Sequence, residues 1–171
     1  MMNFDLLQAI IFDGCFAAVA SVGFAVISNP QRNSLWVSAL LAAIGHGLRY
    51  CLLHSTSIDI ASASFIAAFS IGMLSIVFAK KIHCPAEVFS FPSLLPMIPG
   101  MFAYKTVLYL VKFIQCKDDD ALVNILVLAF KNGVTTTFIM FALVVGVAFP
   151  MFIFHKQSFA VTRILKLVKK N

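Results

Sequence analysis

A chain of 171 residues that is 61% hydrophobic and 12% charged is too apolar for a water-soluble fold. It is also too short to join a membrane bundle to a soluble catalytic domain. Its net charge of +6 does not describe a nucleic-acid surface, because five of its thirteen basic residues fall at or after Lys156.

Met1 to Asp5 lack the positive n-region of a signal peptide, so the first apolar run reads as an uncleaved span. A span needs about 20 mainly apolar residues. In chain order the expected spans cover residues 4–28, 35–53, 58–79, 89–114 and 132–154, followed by a basic tail over 155–171. The expected fold is therefore all-α: a polytopic membrane helix bundle of about five transmembrane helices, forming a single integral membrane domain over residues 1–171. The last apolar stretch, Ala121 to Phe154, would measure on the order of 50 Å as one helix against a core of ~30 Å. It reads either as one long helix or as a surface helix followed by a span.

The connections alternate in charge. Arg32, Lys80 and Lys81 share the tail's sign, whereas Ser55 to Ser57 carry no cation and Lys117 is followed by three aspartates. The positive-inside rule then places the N-terminus outside and the tail in the cytoplasm. The tail from Phe159 to Lys170 mixes apolar and basic residues, as an amphipathic helix on an anionic surface does. Ala43 and Gly47, and Ser64, Ala68 and Gly72, are small residues at fourfold spacing, suited either to packing within the bundle or to a subunit contact.

Four ionisable residues stand inside these apolar runs: Asp13, His46, Arg49 and Lys105. A charge at a helix centre costs roughly 2.5–3.5 kcal/mol on insertion scales, so such residues mark a polar pathway or seam. Asp13 lies about 13 Å into its span at helical rise. It suits either a site that takes up and releases a proton or a static ion pair with Arg49 or Lys105. His46 and Arg49, three apart in Gly45-His46-Gly47-Leu48-Arg49, share one helix face. The flanking glycines leave that face open to a neighbouring helix or a small ligand. The plainer alternative is a hydrogen-bonded His beside an Arg that snorkels to the interface.

Pro96, Pro99 and Gly100 break the fourth span, because each Pro removes a donor and clashes with the preceding turn. Such a break is a simple kink or lines a cavity, and in the second case the half-helix from Gly100 aims free N–H groups at an anion. Tyr104 and Lys105 lie one turn further on. Lys131, Asn132 and Thr135 to Thr137 form a second polar patch, either at the membrane entry or on the pathway.

No H-E-x-x-H, G-x-S-x-G, Walker or dinucleotide motif is present, so no enzyme, catalytic residue or cofactor is expected. The four cysteines lack any C-x-x-C pair and indicate neither a disulfide framework nor a metal site. His83-Cys84 reads as an isolated loop pair.

At Asp13, Val22-Gly23-Phe24-Ala25, Gly45-His46-Gly47-x-Arg49 and Pro96-x-x-Pro99-Gly100-x-x-x-Tyr104, the chain resembles the small subunit of the threonine/serine exporter family in its split form. The resemblance runs from about Phe4 to Phe154 and implies a larger membrane subunit as partner. It implies export of threonine and serine driven by the membrane gradient, and in some split members export of dicarboxylates such as succinate. Lys105 departs from the family pattern, where a neutral residue stands, and leans the substrate towards a doubly charged acid. The expectation is a multi-pass protein of the bacterial inner membrane, part of a secondary exporter of small carboxylate-bearing metabolites. Arg49, Gly100, Tyr104 and Lys105 would bind substrate, while Asp13 and His46 would couple protons. The alternative is a structural subunit that stabilises a larger transporter and has no pathway of its own.

Overall fold

The computed structural model describes residues 4–27 and 31–154, and every element among them is helical. In order these are α1 (Phe4–Ile27), α2 (Arg32–Ser55), α3 (Ile60–Ile82), α4 (Glu87–Leu94) with a 3₁₀ turn at Leu95–Met97, α5 (Gly100–Gln115) and α6 (Asp119–Ile153). The basic tail over 155–171 and its expected amphipathic helix lie outside the described residues. Among the described residues four helices are long and apolar enough to cross a membrane. A fifth span results if α4 and α5, bent by 50° at the break, count as one. The last apolar stretch is a single helix of 35 residues, which decides between the two readings of that segment.

Local chemistry explains the ends of α3. Asp59 is its N-cap and accepts hydrogen bonds from the amides of Ala61 and Ser62, both at 3.1 Å, and from the Ser62 hydroxyl at 2.8 Å. At the other end His83 adopts φ 57°, the left-handed conformation that closes a helix. Lys80 and Lys81 sit in the last turn, where cations favour the negative end of the dipole. The His83-Cys84 pair is thus the helix stop, and buried Cys84 joins the core.

The core is built from small side chains around a few large ones: Leu41, Ile71, Phe89, Met97 and Ile139 are fully buried. Close backbone approach is its means of cohesion, as expected where lipid supplies no hydrophobic drive between helices. A Cβ built on Gly72 would stand 2.8 Å from the Val147 carbonyl oxygen of α6. One built on Gly146 would stand 2.8 Å from the Phe65 carbonyl oxygen of α3. The two glycines therefore lock α3 and α6 reciprocally. In the other expected stripe, a Cβ on Gly14 of α1 would lie 3.2 Å from the Ala43 oxygen, and one on Gly47 would lie 3.2 Å from Ile10 Cγ2. Both small-residue stripes are used inside this chain.

α6 joins the bundle through α3, its most extensive partner. α4 packs among α1, α2 and α3, whereas α5 packs on α6 and to no comparable extent on any other helix. The bend between α4 and α5 carries the chain from the α1–α2–α3 side to α6.

Gly72→Ala and Gly146→Ala are each expected to destabilise the purified protein by about 1–3 kcal/mol, because a carbonyl cannot step aside as a side-chain tip can. Gly23→Ala, with open space around the new methyl, should leave thermal unfolding in detergent unchanged or slightly raised. Equal effects at all three positions would contradict the locking role. The Ser62 hydroxyl, helped by backbone amides, holds the Asp59 carboxyl below its ordinary value. Its folded value is lower than its unfolded one, so the cap contributes fully above about pH 4 and is lost as pH falls through the folded value. Asp59→Ala should therefore lose stability at neutral pH and lose less than wild type on acidification, as read by unfolding at about pH 3 and about pH 6.

Candidate functional site

The close approach of α1 and α2 sets Asp13 opposite His46. Asp13 Oδ2 lies 2.9 Å from His46 Nδ1. When the carboxylate is ionised it has no proton to give, and Nδ1–H is then the donor. His46 is 14% exposed and Asp13 39%. The other ring nitrogen, Nε2, is buried and has no hydrogen-bond partner among the described residues. The expected ion pair was with Arg49 or Lys105; among the described residues Asp13 hydrogen-bonds His46 instead, with Arg49 in electrostatic reach.

Arg49 follows His46 by one turn. Its Nη1 donates to the Met97 carbonyl at 2.9 Å, and Asp13 lies within its electrostatic reach. That bond ties α2 to the last residue of the 3₁₀ turn, where the fourth span breaks. Gly45 makes the approach feasible: a Cβ there would collide with Ile71 Cδ1 and stand 2.7 Å from Met97 Cε. Between the two openings foreseen for the glycines, those at Gly45 and Gly47 admit neighbouring helices rather than a ligand.

The break has a clear covalent cause. Pro96 fits the first positions of the 3₁₀ turn, and Ile98, preceding Pro99, is driven to extended backbone with ψ 130°. Gly100 N–H bonds back to Ile98 O at 2.8 Å, and α5 then starts with no side-chain cap. The Gly100 position is exposed, with nothing within 4 Å of an added Cβ. An uncapped helix start beside a guanidinium suits an anion.

The structure joins Asp13, His46, Arg49 and the broken turn, but Tyr104 and Lys105 fall outside this group. Tyr104 is 62% exposed, and both residues ride on α5, which packs on α6 rather than on α1 or α2. Lys131 and its neighbours sit on α6 near that same helix. Thr135, Thr136 and Thr137 donate to carbonyls one turn back, at 2.8, 2.8 and 3.0 Å. A cavity of about 420 Å³ opens between α5 and α6 and includes none of Asp13, His46 and Arg49.

A row of buried serines escaped the sequence reading. Ser21 Oγ donates to Ser38 O across α1 and α2 at 3.1 Å, and Ser38 Oγ donates to Ser34 O at 3.1 Å. On α4, Ser90 and Ser93 are fully buried, and Ser90 Oγ has no partner among the described residues. The fourfold spacing of Ser34 and Ser38 inside an apolar span was the available signal. It carries little weight, because such serines usually satisfy themselves on their own helix.

Together the apolar helices and the charged centre within them define a multi-pass membrane protein. The chain belongs to the threonine/serine exporter family, whose pattern (Threonine/Serine exporter, ThrE) matches residues 13–153. It is 35% identical over 149 residues to an uncharacterised protein of Haemophilus influenzae, a match that covers 87% of this chain and 49% of the relative. The chain thus spans about half the length of that relative. No solved structure matches it.

Arg49→Met is expected to free the broken turn. Loss of a charged hydrogen bond of about 1.5–3 kcal/mol corresponds to roughly ten- to a hundredfold faster amide exchange over residues 95–103. Unchanged exchange there would show that Arg49 does not hold the break.

Proposed function

We propose that this chain is one part of a proton-coupled secondary exporter of small amino acids of the threonine and serine type, working in the bacterial inner membrane with a larger family partner. One observation carries the reading: an acid, an imidazole and a guanidinium meet inside the bundle at a broken helix.

The chemistry of the group matches a zwitterion. Arg49 spends one donor on Met97, which leaves the rest of its fork for a carboxylate. The uncapped start of α5 adds N–H groups of the same polarity. Asp13 supplies an acceptor for an ammonium group, and His46 Nε2 supplies a free nitrogen for a hydroxyl or a proton. With Lys105 away on α5, Arg49 is the one cation found at the break among the described residues. One cation balances one carboxylate, which favours an amino acid over a succinate-type dicarboxylate.

In the cycle we infer, a proton reaching the Asp13–His46 pair weakens its hold on the substrate ammonium. The break then flexes around the Arg49–Met97 tether to exchange access between the two sides. The N-terminus lies outside and the basic tail in the cytoplasm, as the alternation of charge in the connections supports.

The test is efflux from cells preloaded with labelled threonine, serine or succinate, with this chain expressed alone and with its partner. Threonine or serine efflux that requires both chains and falls to background with Arg49→Gln, at unchanged membrane content, is the expected result. Efflux that survives neutralising Asp13, His46, Arg49 and Lys105, yet is lost on deleting the chain, would make it a structural subunit instead.

A further inference from the structure

The hairpin of α5 and the first half of α6 is left uncovered by the rest of the chain. α5 has no buried residue. α3 meets α6 at Gly146, Val147 and Pro150, whereas α5 meets it at Gly133, against Thr106. Tyr104 (62%), Ile114 (82%) and Phe130 (72%) stand exposed, and the cavity of about 420 Å³ opens along the same seam.

Lipid alone is a poor cover for this surface. Lys105 and Lys131 are both exposed, and no partner is found for either among the described residues. The pairing of Thr106 with Gly133 places the two lysines within about one helical turn of each other along the hairpin. With the tip of the hairpin at the membrane surface, both would lie roughly 15 Å or more deep, where an unpaired ammonium is costly in lipid. Lysines at such positions call for acceptors from another helix.

Two observations identify that helix's owner. The Haemophilus relative holds about as much chain again beyond the 49% matched here, length enough for a second unit of similar size. A second copy of this chain fits less well, since a twofold contact on the hairpin brings the same lysines towards their own equivalents. We propose that the α5–α6 hairpin is the surface on which the exporter's other half docks, with a helix of that half laying carboxylate or carbonyl oxygens against Lys105 and Lys131. This rests on the two-part reading of the protein. It gives Lys105 an assembly role in place of a substrate role.

Photo-crosslinking in membranes tests it. Tyr104 or Phe130 on the hairpin, and Phe16 or Val19 on the exposed face of α1 (73% and 74% exposed), are each exchanged for benzoylphenylalanine. The probe partner is the co-expressed membrane chain of the same genome that matches the part of the Haemophilus relative lying outside this chain's match. Adducts to that chain from the hairpin and not from α1 are expected. The double variant Lys105→Ala, Lys131→Ala should lower the amount of co-purified partner by about tenfold or more. Hairpin positions that stay silent while the two chains still co-purify would overturn the docking surface alone. Adducts joining two copies of this chain through the hairpin would overturn the choice of occupant. Failure of the two chains to co-purify at all would remove the two-part reading, and this proposal with it.

Discussion

A carboxylate set into an apolar helix must find a partner, and the arrangement of this protein follows from how Asp13 finds one. His46 can reach it because the α1–α2 contact is narrow, with Gly14 facing Ala43 and Gly47 facing Ile10. A larger residue at Gly14 or Gly47 would push the helices apart and lengthen the 2.9 Å bond. His46 in turn fixes the face on which Arg49 stands one turn later. Arg49 then takes the carbonyl at the end of the 3₁₀ turn. The polar centre and the helix break are thus two ends of one chain of contacts, running from α1 through α2 to Met97.

That chain of contacts gives the break a specific mechanical character. Pro96 and Pro99 remove the donors that would carry the helix onward, and the lost rigidity is partly restored by a single side-chain bond from Arg49. A joint in which one charge-assisted bond supplements the packing of Met97 can, on the proposed reading, shift when that charge is drawn to a carboxylate. Alternating access needs a joint of this kind, stable in one arrangement and released by ligand. The unpartnered Nε2 of His46 fits the same logic, since a buried polar atom without a partner is costly in a finished core and useful where a proton or ligand visits.

The fold was legible wherever the signal was hydrophobic length or backbone chemistry. Apolar runs of span length became the long helices, the prolines at 96 and 99 fall where the fourth span breaks, and Asp118 and Asp119 fall where α6 begins. The grouping of Asp13, His46 and Arg49 could be framed from the sequence but not resolved, because spacing along one helix does not say which residue faces it from another. Lys105 shows the limit most clearly. Only four residues separate it from Pro99-Gly100, so along the chain it looks like part of the same site, yet the bend sends α5 towards α6 and away from Arg49. The glycines beside His46 were ambiguous for the same reason, since an opening on a helix face admits either a helix or a ligand until its neighbours are known.

The central claim is that the Asp13–His46 pair handles the proton that drives transport. It is tested most directly by counting protons moved per substrate by the complete exporter in liposomes with a trapped pH-sensitive dye. The account predicts proton flux that appears only with threonine or serine present and is abolished in Asp13→Asn, while substrate binding persists. Substrate-linked proton flux of undiminished size in Asp13→Asn would contradict it.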